Sequence, residues 1–137
     1  MSDHTMKRLT SSNPDDNFGT MLNLFFCKDG TTWMRGGGPA PEYPDIKLDD
    51  WIRGIIKKFC PEEAPYYEQI NDDHLNMIMA EITLGGGLDT SEDLVALLYN
   101  TAWAFSELNA RLMEYEGTGL SPQEVSEMKF RLEGLEK

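Results

Sequence analysis

The chain has 137 residues, 40% of them hydrophobic and 10% aromatic, with 24 Asp and Glu against 12 Lys and Arg. The net charge of −12 and the pI of about 4.4 argue against a phosphate-binding groove, which needs a positive footprint. The apolar content excludes wholesale disorder, and this length predicts one domain that buries roughly two-thirds of its unfolded surface on folding.

Residues 1–12 read as a mobile N-terminal arm. Asn13-Pro14-Asp15-Asp16 is a helix start, because Asn caps, Pro suits the first helical position and acids favour the positive helix end. Phe18, Met21, Leu22 and Phe25 follow at helical spacing, which predicts a helix to about Cys27 that stops at Lys28-Asp29-Gly30. The alternative is a hairpin with Asp29-Gly30 as its tight turn between 22–27 and 31–35. The helix is preferred here on its cap and period, with room for one short strand or hairpin near 31–35. Arg35-Gly36-Gly37-Gly38-Pro39-Ala40-Pro41 then breaks regular structure.

A second helix is predicted from Asp45–Leu48, with Leu48, Trp51, Ile52, Ile55, Ile56 and Phe59 on one side and Pro61 closing it. Pro61, Glu62, Glu63 and Pro65 read as a loop. A third helix, capped by Asn71, carries Leu75, Ile78, Met79 and Ile82 and ends at Gly85-Gly86-Gly87; Met77 falls off its stripe and is expected to be exposed. The fourth helix opens on the capping pair Thr90 and Asp93 and lines up Leu94, Leu97, Leu98, Ala102, Phe105, Leu108 and Leu112. Ser121-Pro122-Gln123-Glu124 starts a last helix with Val125, Met128 and Leu132. The expected fold is mainly α: a small bundle of four to five helices with Gly/Pro-rich loops, divided into a 13–116 helical domain and a 117–137 capped helix.

Charge is distributed unevenly along this plan. From Phe59 to Ala110 there is no Lys or Arg, but ten acids: Glu62, Glu63, Glu68, Asp72, Asp73, Glu81, Asp89, Glu92, Asp93 and Glu107. The rest of the chain holds 14 acids and 12 bases, so the acidity is local. Tyr66, Tyr67 and Trp103 lie in the same block. Carboxylates beside flat aromatic rings match the composition of a surface that imitates a nucleic acid, and also that of an ordinary core and rim.

Catalytic patterns are sparse. Arg35 and three glycines suit an anion cradle, with Trp33 as a further contact, but no Gly-Lys-Ser/Thr follows. His74 and Glu81, or Glu68 and Asp72, share helical faces as metal ligands would, although acids at a first helical turn are explained by the helix dipole. With only His4 and His74 and no Gly-x-Ser-x-Gly elbow, nucleophilic catalysis has little to build on. Cys27 and Cys60 are expected to be reduced, buried thiols. No stretch approaches the roughly 20 apolar residues of a membrane span, and residues 1–17 carry no signal-peptide core. The expectation is a cytoplasmic non-enzyme without cofactor or metal, binding neither membrane nor nucleic acid.

Tyr115-Glu116-Gly117-Thr118-Gly119-Leu120-Ser121-Pro122-Gln123-Glu124-Val125 resembles a segment of small proteins of prophages and conjugative elements in Gram-positive anaerobes, where it usually reads Tyr-Glu-Asp-Thr-Gly-Leu-Thr-Pro-Glu-Glu. Gly117 stands here for the usual Asp and Gln123 for a Glu; Arg8-Leu9-Thr10 and Lys28-Asp29-Gly30 are similar to the same group. The resemblance covers 15 to 20 residues, implies a mobile-element origin and transfers no site residues. Joined to the acidic block, it leads to the expectation of an accessory protein of the anti-CRISPR or anti-restriction kind. Such a protein binds a host nucleic-acid-binding protein, a nuclease of a defence system, by presenting a DNA-like acidic surface. The residues expected to carry it are Glu62, Glu63, Glu68, Asp72 and Asp73, then Asp89, Glu92 and Asp93. The alternatives are a self-associating helical assembly module, and a small-ligand or nucleotide binder built on Trp33, Arg35 and Gly36 to Gly38.

Overall fold

The computed structural model describes residues 8–36 and 44–135; residues 1–7 of the expected arm, and Gly37 and Gly38 of the expected anion cradle, lie outside them. The described residues are mainly helical, with a small antiparallel sheet. In chain order they form α1 (Asn17–Leu22), β1 (Phe25–Lys28), β2 (Thr31–Met34), β3 (Ile46–Lys47), α2 (Leu48–Phe59), α3 (Ala64–Gln69), α4 (Asp72–Leu84), α5 (Ser91–Glu116) and α6 (Pro122–Leu135).

The first departure from the sequence reading comes at residues 13–35. No single helix runs to Cys27: α1 is one and a half turns long, capped by Asp16, whose carboxylate accepts from the Gly19 N–H at 2.6 Å. The chain then turns into the β1–β2 hairpin, in which Phe25 pairs with Met34 and Lys28 with Thr31. Asp29 and Gly30 both take positive φ, 53° and 76°, as a tight hairpin turn of the primed type requires. The apolar run Leu24-Phe25-Phe26 fits either period. What decides is burial: Phe25 packs inward, edge-on to Phe105 and tilted against Trp51, while Phe18 and Met21, expected in the core, are exposed. β3 pairs with β2 through Trp33↔Lys47 and Met34↔Ile46, giving the order β1-β2-β3.

α2 follows the prediction closely, with Lys57 and Lys58 in its last turn and Leu48, Ile52 and Ile56 fully buried; Phe59, however, is 60% exposed. The stretch read as a loop between Pro61 and Pro65 holds α3, which has Pro in its first turn, where a missing N–H costs nothing. Among the described residues there are thus six helices rather than four to five. α4 is capped by Asn71, whose side chain accepts from the His74 N–H, and it ends before Gly85. α5 opens on the expected capping box, Thr90 with Asp93.

The core gathers Phe25, Leu48, Ile52, Ile56, Tyr67, Leu75, Met79, Val95, Ala96, Tyr99 and Ala102; α5 packs against β1, α2 and α4, and α2 also packs against β2 and β3. The α5 stripe read from the sequence is buried only in part: Ala102 is in the core and Leu98 and Phe105 pack against it. Val95, Ala96, Tyr99, Ala102, Ser106 and Asn109 face inward, whereas Leu94, Leu97, Leu108 and Leu112 are exposed. α6 packs extensively against no other described element, and Met128, Phe130 and Leu132 are exposed on it. Cys60 is buried as expected, but Cys27 is exposed at the hairpin rather than in the core. Among the described residues no helix is long and apolar enough to cross a membrane.

Candidate acidic binding surface

The turn between α2 and α3 is tightly built. Cys60 closes α2 by donating its N–H to Ile56 O at 2.7 Å, and its own carbonyl accepts from the N–H groups of Glu63 and Ala64. This fixed turn holds Glu62 and Glu63 outward, both exposed. Across from it the first turn of α5 brings Glu92 into place. Phe59, Cys60, Pro61, Glu62, Glu63, Thr90, Ser91 and Glu92 line one open depression of about 380 Å³. Glu92 is anchored there, accepting at 2.9 Å from the hydroxyl of Tyr67, a residue 2% exposed. Burial, with Glu92 as hydrogen-bond acceptor, pushes the Tyr67 hydroxyl well above its ordinary range. Burial also raises the Cys60 thiol, helped by Glu63 and Glu92, so that it stays neutral. Phe59 stands exposed beside these carboxylates, while the exposed Tyr66 ring lies against Tyr67 and His74. Lys58 Nζ lies 5.7 Å from the centre of the Phe59 ring.

The other expected acids have different situations. Asp72 is ion-paired to Lys47 at 2.7 Å and to Arg53 at 2.6 Å, and those two hydrogen bonds hold its carboxyl below the usual range against the opposing pull of burial. Its charge is balanced by these two bases. Asp93 is likewise engaged within the molecule: its Oδ2 accepts from the N–H groups of Asp89 and Thr90 as the reciprocal half of the capping box. Glu68, Asp73 and Asp89 are exposed but do not line the depression of Glu62, Glu63 and Glu92.

Trp33 and Arg35 are also engaged internally. Arg35 donates from Nε to Asn23 O at 2.8 Å and from Nη1 to Ser12 O at 3.1 Å, and it stacks over Phe26 at 4.4 Å. Burial lowers its guanidinium somewhat from the ordinary value. The Trp33 indole N–H donates to Lys28 O. The guanidinium therefore ties the strands to the N-terminal segment. Among the described residues no group of three or more His, Cys, Asp and Glu side chains is gathered as a metal site would require; His74 sits instead against the Tyr66 ring.

Two polar networks escaped the sequence reading. Asp49, 3% exposed, accepts at 2.7 Å from the hydroxyl of the fully buried Tyr99, which in turn accepts from Asn76 at 3.3 Å. Burial pushes the Asp49 carboxyl up and the Tyr99 hydrogen bond pulls against it. The signal was present: Asp49 precedes Ile52 by three residues and Ile56 by seven, which places it on the core stripe of α2. The second network is centred on Glu116, which accepts from the N–H groups of Leu9 and Thr10 and from Thr10 Oγ1 at 2.6 Å, with Arg8 at 3.7 Å. It holds residues 8–10 against the end of α5. Burial raises this carboxyl, but the Thr10 hydroxyl, the two backbone donors and Arg8 outweigh that and keep it below the ordinary value.

No family model, curated protein or solved structure matches the chain. The functional reading therefore rests on the residues and their geometry.

Proposed function

We propose that this is an acidic binding module that occupies the basic nucleic-acid channel of a partner protein. The reading extends to an accessory protein of a mobile element acting on a host defence nuclease, as the tail segment of the sequence suggests. The observation that carries the proposal is the gathering of Glu62, Glu63 and Glu92 around one depression that the exposed ring of Phe59 also lines. A nucleic acid offers its binder a row of fixed negative charges with flat stacking faces between them. Carboxylates held on a hydrogen-bonded turn and a capped helix start are preorganised in a comparable way, so little ordering entropy opposes binding. The charge also repels nucleic acid itself and speeds the approach of a basic partner. Of the acids predicted from sequence, Glu62, Glu63, Glu68, Asp73, Asp89 and Glu92 remain in the proposal, while Asp72 and Asp93 leave it for internal roles.

The test is competition. Immobilised protein is loaded with a panel of purified bacterial DNA-binding nucleases, and bound nuclease is challenged with duplex DNA. Displacement by DNA, together with loss of binding in a Glu62→Lys/Glu63→Lys variant of unchanged circular dichroism, supports the reading. Nuclease binding that survives both DNA and charge reversal refutes it.

A further inference from the structure

α5 carries a second apolar stripe that no described element covers. Leu94, Leu97, Thr101, Ala104, Leu108, Arg111 and Tyr115 recur in alternating steps of three and four residues, the 3.5-residue period of a coiled-coil seam. At 1.5 Å per residue this seam is about 33 Å long. Leu94 is 57% exposed, Leu97 40% and Leu108 69%, and Thr101, Ala104 and Arg111 are exposed between them. The core-facing residues of the same helix, Val95, Tyr99, Ala102, Ser106 and Asn109, lie on another side. Leu94, Leu97, Ala104 and Leu108 supply its apolar positions, and exposed leucines recurring at this period on a helix mark a face that pairs.

We infer that the seam pairs with the α5 seam of a second copy of this chain, antiparallel and related by a two-fold axis near Thr101 and Ala104. The charge pattern selects both occupant and direction. Arg111 is the single base between Lys58 and Lys129, and it occupies a seam position towards the C-terminal end. Asp89 and Asp93 flank the other end. Antiparallel pairing with Thr101 opposite Ala104 of the second copy sets Leu97 against Leu108 and Arg111 against Leu94. Each Arg111 then lies beside Asp89 and Asp93 of the other copy. Parallel pairing would set Arg111 against Arg111 and acid against acid. The small side chains at the centre let the two backbones approach closely, and the arrangement closes on itself, as an isologous interface must. Glu92 points about 140° away from Leu97 around the helix at 100° per residue, so the pair keeps both acidic depressions outward. The inference shares Asp89 with the proposed function but leaves Glu62, Glu63 and Glu92 free.

The test uses the full chain. Light scattering after gel filtration at ~100 µM, a concentration that populates a complex of micromolar affinity, gives twice the 15.6 kDa of the chain. Leu97→Glu and Leu108→Glu each give the single-chain mass with unchanged circular dichroism, because both positions are exposed in the folded chain. Arg111→Glu raises the dissociation constant about tenfold through its two symmetric contacts. Direction is read by oxidation in a Cys27→Ser background: Leu94→Cys mixed with Arg111→Cys forms a cross-linked pair, and neither does so alone. A wild-type chain of single mass overturns the inference. So does a Leu108→Glu variant that stays paired, or a Leu94→Cys chain that cross-links to itself.

Discussion

Replacing Tyr99 with Phe isolates one hydrogen bond in the core. The ring stays, so no cavity opens at a residue that is fully buried; what goes is the hydroxyl that donates to Asp49 at 2.7 Å. Asn76 loses an acceptor but is exposed and can turn to water. Asp49 cannot, at 3% exposure. A hydrogen bond to a charged group contributes about 1.5–3 kcal/mol, against about 0.5–1.5 kcal/mol for a neutral pair. The sign with pH follows from the direction of the Asp49 shift. Its carboxyl is raised above the ordinary 3.8 in the folded protein, burial being the main cause and the Tyr99 bond an opposing one. The folded state therefore binds the proton more tightly than the unfolded state, and this group's contribution to stability falls as pH rises from about 3.8 through the folded value. Removing the hydroxyl raises the folded value further. Urea unfolding of Tyr99→Phe should show a loss of about 1.5–3 kcal/mol at pH 7. The loss should shrink to about 0.5–1.5 kcal/mol as pH falls through the folded value and Asp49 becomes protonated. In an Asp49→Asn background the same substitution should cost the smaller amount in both pH ranges. A loss that is equal in both pH ranges in the wild-type background, or that stays below about 0.5 kcal/mol at pH 7, would refute the assignment of Asp49 as a buried charge held by Tyr99.

Three further outcomes follow from the same geometry. Glu116→Gln removes one anionic acceptor from the Leu9 and Thr10 N–H groups, and the exchange of those two amides should accelerate about tenfold, equivalent to about 1.4 kcal/mol of a charged hydrogen bond; unchanged protection would contradict the clasp. Asp93→Ala breaks the reciprocal half of the α5 capping box and should cost about 0.5–2 kcal/mol in thermal or urea unfolding. Asp72, held below its usual range by Lys47 and Arg53, contributes stability above its unfolded pKa and loses it as pH falls through the folded one. Asp72→Asn should therefore be less stable than wild type at pH 7 and should converge with it in acid, while a gap constant from pH 7 down to pH 2 would contradict the ion pairs.

Much of the helical plan was legible because it is written locally. Asn71, and Thr90 with Asp93, cap helices at the expected places, since a side chain that satisfies orphan N–H groups acts within three residues. Residues 18–35 were not legible in the same way. Leu22 to Phe26 fits both periods, and the choice is made by Phe25 meeting Trp51 and Phe105, far along the chain. The α5 stripe failed in part for a related reason: two apolar faces were merged into one, and only packing against α2, α4 and the sheet shows that the Val95–Tyr99–Ala102 face is the inner one. Among the acids, sequence gave the block but not its bookkeeping of charge. Asp72 is answered by Lys47 and Arg53, which lie 25 and 19 residues away, and only the fold brings them together.

The most direct measurement is the binding of a DNA-binding nuclease to wild type and to Glu62→Lys/Glu63→Lys, with duplex DNA as competitor. The account predicts that DNA displaces the nuclease from wild type and that the charge-reversed chain, folded and of unchanged oligomeric mass, fails to bind it. Binding that is indifferent to both would contradict the acidic surface as the working part of the molecule.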